Sequence, residues 1–71
     1  MLDMYTIYCK PLDYPNNYVV RKYRVALGDV APTDEIHIGD TLEEARAFIP
    51  YGLVPLMRDP QDHPSVVETW V

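Results

Sequence analysis

Apolar and polar residues alternate along this chain at two different spacings, and the change of spacing marks where strands give way to a helix. Met4–Cys9, MYTIYC, joins aromatic and β-branched residues in a run suited to a pleated, half-buried surface. The next segment, KPLDYPNN, holds two prolines and an Asn pair, which is turn chemistry. A second strand is expected over Tyr18–Leu27. Its odd positions are Val19, Arg21, Tyr23, Val25 and Leu27; its even positions are Tyr18, Val20, Lys22, Arg24 and Ala26. The odd set is the more apolar beyond Arg21, so that face is expected to meet the core. These two strands predict an antiparallel hairpin. GDVAPTD reads as a loop, and EIHI (35–38) as a short third strand that Gly39 and Asp40 end.

The spacing then turns helical. In GDTLEEARAFIPYGL, residues 39–53, Thr41 followed by Glu44 fits a capping box. Glu43 and Glu44 fall in the first turn, where the helix dipole favours negative charge. Leu42, Ala45 and Ile49 form one apolar stripe, which Phe48 widens. Pro50 lacks an N–H and turns Ile49 away from helical geometry, so the helix is expected over 42–49. A helix this short holds only by packing. Gly52 permits a turn and LVPLM begins a strand near Leu53, with Pro55 marking an edge or a bulge. RDPQDHPS is a further loop, and VVETWV closes the sequence as a strand able to pair with LVPLM. Residues 1–71 thus predict a single α+β domain. Its sheet is small, antiparallel or mixed, in the order β-β-(short β)-α-β-β, with one short helix packed on one face.

Composition narrows what such a domain does. Cys9 is the one cysteine, so no internal disulfide forms. MLDMYTIYCK lacks a basic leader and no stretch has the ~18 apolar residues of a membrane span. A cytoplasmic protein is the expectation. Eleven acids against six bases give a formal net charge of -5, which argues against nucleic acid unless the bases cluster.

They do cluster in VVRKYRV. Lys22 and Arg24 alternate on one strand face with Tyr18, as in sheets that stack single-stranded nucleic acid, and the tyrosines at 5, 8, 14 and 23 add stacking candidates. The ordinary reading is a solvated strand. Catalytic signals are absent. His37 and His63 have no metal-ligand spacing, Ser65 follows Pro64 rather than sitting in a strand–turn–helix elbow, and the three glycines are isolated. Glu43 and Glu44 point about 100° apart on a helix. Glu68 is expected to pair across strands with Arg21 or Arg24. No metal or cofactor is expected. Trp70 belongs to the core if its strand lies inside the sheet, the placement favoured, and is a candidate contact residue, with a weak homodimer through the strand's edge, if that strand is outermost.

Two resemblances add to this. YTIY, YPNNYVVRKYRV, DTLEEARAFIPYGLVPL and VVETWV, in that order, resemble a family of small uncharacterised bacterial proteins often found in prophage regions. The resemblance covers nearly the whole length and implies no catalytic residues. IHIGDTLEEARAFI (36–49) also resembles the cap and helix of HicB-type antitoxins. This chain lacks the proline-rich turn and Gly-Cys segment before that cap, and Pro50 stops its helix early. The expected function is therefore a non-enzymatic, phage-related domain acting through protein contacts. The alternatives are single-strand binding through Tyr18, Lys22 and Arg24, or antitoxin-type partner binding.

Overall fold

The computed structural model describes residues 2–56, 58 and 62–71. Its elements are β1 (Leu2–Cys9), β2 (Tyr18–Ala26), β3 (Asp29–Gly39), α1 (Leu42–Ala47), β4 (Pro55–Leu56) and β5 (Val66–Trp70). The five strands form one antiparallel sheet in the order β3-β2-β1-β5-β4, and α1 lies across β1, β2 and β3 on one face. Met57 and residues 59–61, where the expected LVPLM strand ends and its loop begins, lie outside the described residues.

The helix starts as its sequence dictates. Thr41 caps it, its Oγ1 accepting from the Glu44 N–H at 3.1 Å. The capping box is half made: the Glu44 carboxylate accepts from the Thr41 hydroxyl at 3.4 Å instead of reaching back to the backbone. The helix ends at Ala47 with Phe48 as its C-cap, two residues short of the expected end, because Pro50 disfavours helical geometry at Ile49. Ala45 is buried, and Leu42 and Ile49 pack against the core beside it. Gly39 makes the close approach possible: a Cβ there would lie 3.0 Å from Glu44 Cβ and 3.1 Å from the Ala45 nitrogen.

The core under α1 joins Tyr5, Ile7, Val20 and Ala45. Register pairs Ile7 with Val20 and Tyr5 with Lys22, so the even face of β2 looks toward the helix, the reverse of the expectation. Val19 is equally buried, but on the opposite face with Tyr8 and Ile38. The contrast between the faces fails at this point because both valines are buried, Val20 under the helix and Val19 on the face where an Asp13–Arg21 ion pair ties the 10–17 loop to the sheet.

The third strand is the longest, not short, and most of the expected GDVAPTD loop belongs to it. The turn is only Leu27–Gly28, with Gly28 at φ +74, a conformation glycine adopts without strain. Pro32 is tolerated because β3 is an edge strand, where one row of N–H groups has no ladder partner. Between Arg21 and Tyr23 the partner on β3 jumps from Ile36 to Pro32, a bulge that absorbs the extra residues.

β5 lies inside the sheet, between β1 and β4, the favoured of its two expected placements, with Trp70 packed against the core, and reciprocal Val54–Val71 backbone bonds of 2.8 and 3.0 Å extend its pairing with β4. Glu68 does not reach Arg21 or Arg24. It takes a two-pronged bond from Arg46 of α1, at 2.8 and 3.0 Å, tying helix to sheet.

Candidate functional site

The register sets Tyr18, Lys22, Arg24 and Trp70 on the helix-bearing face, where they do not form one surface. Tyr18 and Trp70 pack against the core, and Trp70 Nε1 donates to Glu68 Oε1 at 3.0 Å. Tyr18 sits opposite Cys9, and the neighbouring thiol raises the Tyr18 pKa. Lys22 is neutralised. Its Nζ lies 3.6 Å from Asp3 Oδ2, 3.7 Å from Glu35 Oε1 and 5.8 Å from the centroid of the Tyr5 ring. Desolvation pulls its pKa down, but Tyr5, Asp3 and Glu35 outweigh that and hold it above the ordinary value. Arg24 is exposed, opposite Asp3 and Ala31. Lys22 and Arg24 border a shallow depression together with Asp34 and Glu35, whereas Trp70 borders another with Arg46 and Tyr51.

The histidines have structural surroundings. His37 Nε2 bonds Glu35 Oε2 at 2.9 Å, and its ring stacks on Phe48 at 4.7 Å. The bond from His37 holds the Glu35 carboxyl below its ordinary pKa. His63 Nδ1 accepts from the Ser65 N–H at 3.1 Å and meets Ser65 Oγ at 2.7 Å. A nitrogen that accepts a backbone N–H carries no proton, so the imidazole proton sits on Nε2. This contact closes a local turn; it is not the elbow of a nucleophilic serine. Among the described residues, no three His, Cys, Asp or Glu side chains converge on a point where a metal could sit, and no helix is long and apolar enough to cross a membrane.

The face away from the helix carries the more coherent site. Two grooves cross it and share the side chains of Tyr8 and Tyr23. One, about 350 Å³, runs between Pro11 and Leu12 of the first loop and Pro32 of β3, with Arg21, His63 and Ser65 at its margins. The other, about 420 Å³, is walled by Met4, Val30, Leu56 and Val66, with Thr6 and Thr69 on its floor and Asp62 at its border. At their junction the Tyr8 and Tyr23 hydroxyls bond each other at 2.7 Å. Burial, then the bond to Tyr23, pushes the Tyr8 pKa well up, so Tyr8 keeps its proton. Arg21 Nη2 donates to Asp13 Oδ2 at 2.7 Å.

Strand parity alone places Arg21 and Tyr23 on one face; Tyr8, marked in the sequence only as a stacking candidate, joins them through the register that pairs it with Val19. The chain matches no protein family, no curated protein and no solved structure.

Proposed function

We propose that this chain is a non-catalytic domain that binds another protein through the helix-free face of its sheet. The observation that carries this reading is asymmetry of cover. The helix shields one face, while the other leaves Val30 and Leu56 at least half exposed along a groove, with exposed Leu2 on the same face. Apolar side chains gathered about a groove on a small domain are characteristic of contact surfaces. The single-strand alternative draws less support, because Lys22 is already matched by Asp3 and Glu35 and the net charge of -5 opposes a polyanion.

Site-directed photocrosslinking tests the reading. A benzophenone amino acid placed at Val30 or Leu56 is expected to give discrete protein adducts in the native host, and one placed at Glu43 on the helix side is expected to give none. Adducts of equal yield from both sides, or from Glu43 alone, would refute it.

A further inference from the structure

We propose that the groove beside the tyrosine pair receives the terminal carboxylate of a partner polypeptide whose last side chains are apolar. This rests on the helix-free face being the contact surface and names what that face recognises.

The inference comes from counting hydrogen-bond donors. The two tyrosine hydroxyls share one bond, which uses one hydrogen and leaves the other to point elsewhere. Arg21 has five N–H donors, and Asp13 engages it through Nη2 alone. His63, which lines the groove, keeps its proton on Nε2, because Nδ1 is committed to Ser65. Thr33 competes for none of these: its hydroxyl donates to the Lys22 carbonyl and accepts from the Glu35 N–H. Among the described residues no acidic side chain lines this groove; Asp62 borders the neighbouring one. A half-buried space rich in donors and bounded by Pro11, Leu12 and Pro32 suits a carboxylate attached to an apolar group, since charge-assisted bonds are the strongest such donors make.

Continuity with the second groove selects a polypeptide over a free small acid. Past the tyrosines the surface runs on between Met4, Val30 and Leu56, with Asp62 also at its border, so a chain anchored at Arg21 lays its preceding apolar side chains along Met4, Val30 and Leu56 and keeps its one carboxylate in the first groove. The net charge of -5 disfavours a partner presenting an acidic patch. One carboxylate at the end of an apolar segment brings the least repulsion. Asp13 is the internal competitor: it holds Arg21 from an exposed loop and would share or yield it when a ligand arrives.

The test uses peptides with randomised last four positions, once with a free terminal carboxylate and once amidated, read by fluorescence anisotropy against the intact protein. The free acids are expected to bind at least about tenfold more tightly than the amides. Arg21→Gln should abolish that difference. Asp13→Asn should tighten binding of the acids and leave the amides unchanged, a gain that a merely structural role for the Asp13–Arg21 pair would not produce. Trp70 fluorescence confirms that each variant is folded. Equal binding of acid and amide, binding of neither, or weakening by Asp13→Asn would overturn the proposal, as would tight binding of amidated peptides that carry an internal glutamate. If acid and amide bind equally and Val30→Glu removes both, carboxylate recognition fails while the contact surface stands.

Discussion

Replacing Val19 and Val20 by alanine, one at a time, separates the two faces of the sheet. The residues are neighbours in sequence, both fully buried, and they point in opposite directions: Val20 toward α1, Val19 toward the helix-free face beside Tyr8 and Ile38. Each substitution removes two methyl groups worth about 0.8 kcal/mol apiece in transfer. The cavity left behind adds a penalty of similar size, giving about 2–3 kcal/mol per variant. For 71 residues the whole fold is worth about 7 kcal/mol at about 0.1 kcal/mol per residue, so both variants should still fold. Urea unfolding followed by Trp70 emission measures the loss. With a slope of about 1 kcal/mol/M, each midpoint should fall by about 2–3 M at constant slope. A sheet covered by its helix alone would lose stability at Val20 and hardly any at Val19. A Val19→Ala midpoint indistinguishable from the parent would therefore refute the second buried layer, and with it the loop's role in shaping the tyrosine groove.

Gly39→Ala should destabilise by about 1–3 kcal/mol, because its new methyl meets the Ala45 backbone 3.1 Å away; an unchanged urea midpoint would show that α1 shifts freely. Thr41→Ala should cost about 1 kcal/mol through the lost cap, with Thr41→Ser close to neutral in the same melts. The bonds from Arg46 hold the Glu68 carboxyl below its ordinary 4.5, so this contribution is complete above that value and fades as pH falls through the folded pKa. In Arg46→Gln the Glu68 titration, followed by carboxyl NMR, should move up toward 4.5, and an unmoved titration would dismiss the helix–sheet tie.

Local signals in the sequence carried as far as local structure goes. Thr41, Glu44 and Pro50 fix the helix because caps and stops act within a turn or two of themselves. The β1–β2 hairpin follows from its two strand runs and the proline-rich turn between them. Which face of β2 meets the helix was not legible, because Val19 and Val20 are equally apolar and both end up covered. Pro32 read as a strand breaker because its harmlessness depends on β3 lying at an edge, a property of the whole sheet. The basic stripe of Lys22 and Arg24 looked like a surface feature, yet Lys22 is matched by Asp3 across the ladder and by Glu35 across a bulge that no periodicity announces. The tyrosine–arginine groove escaped for the same reason: its parts come from β1, β2, β3 and two loops, and only register assembles them.

The place of β5 in the sheet has a consequence for how the protein folds. β1 is central, flanked by β2 and β5, and Tyr5 pairs with Trp70 across a span that includes most of the chain. β1, β2, β3 and α1 follow one another in sequence and can assemble by short-range contacts. The second edge of β1 stays open until Val66–Trp70 docks against it. Such non-local closure raises contact order and slows that step. Until then the chain exposes an unpaired, aromatic strand of the kind that recruits other chains. A molecule in which β5 has not yet docked, or has frayed away, is thus the aggregation-prone form, and the docked strand protects the fold against it.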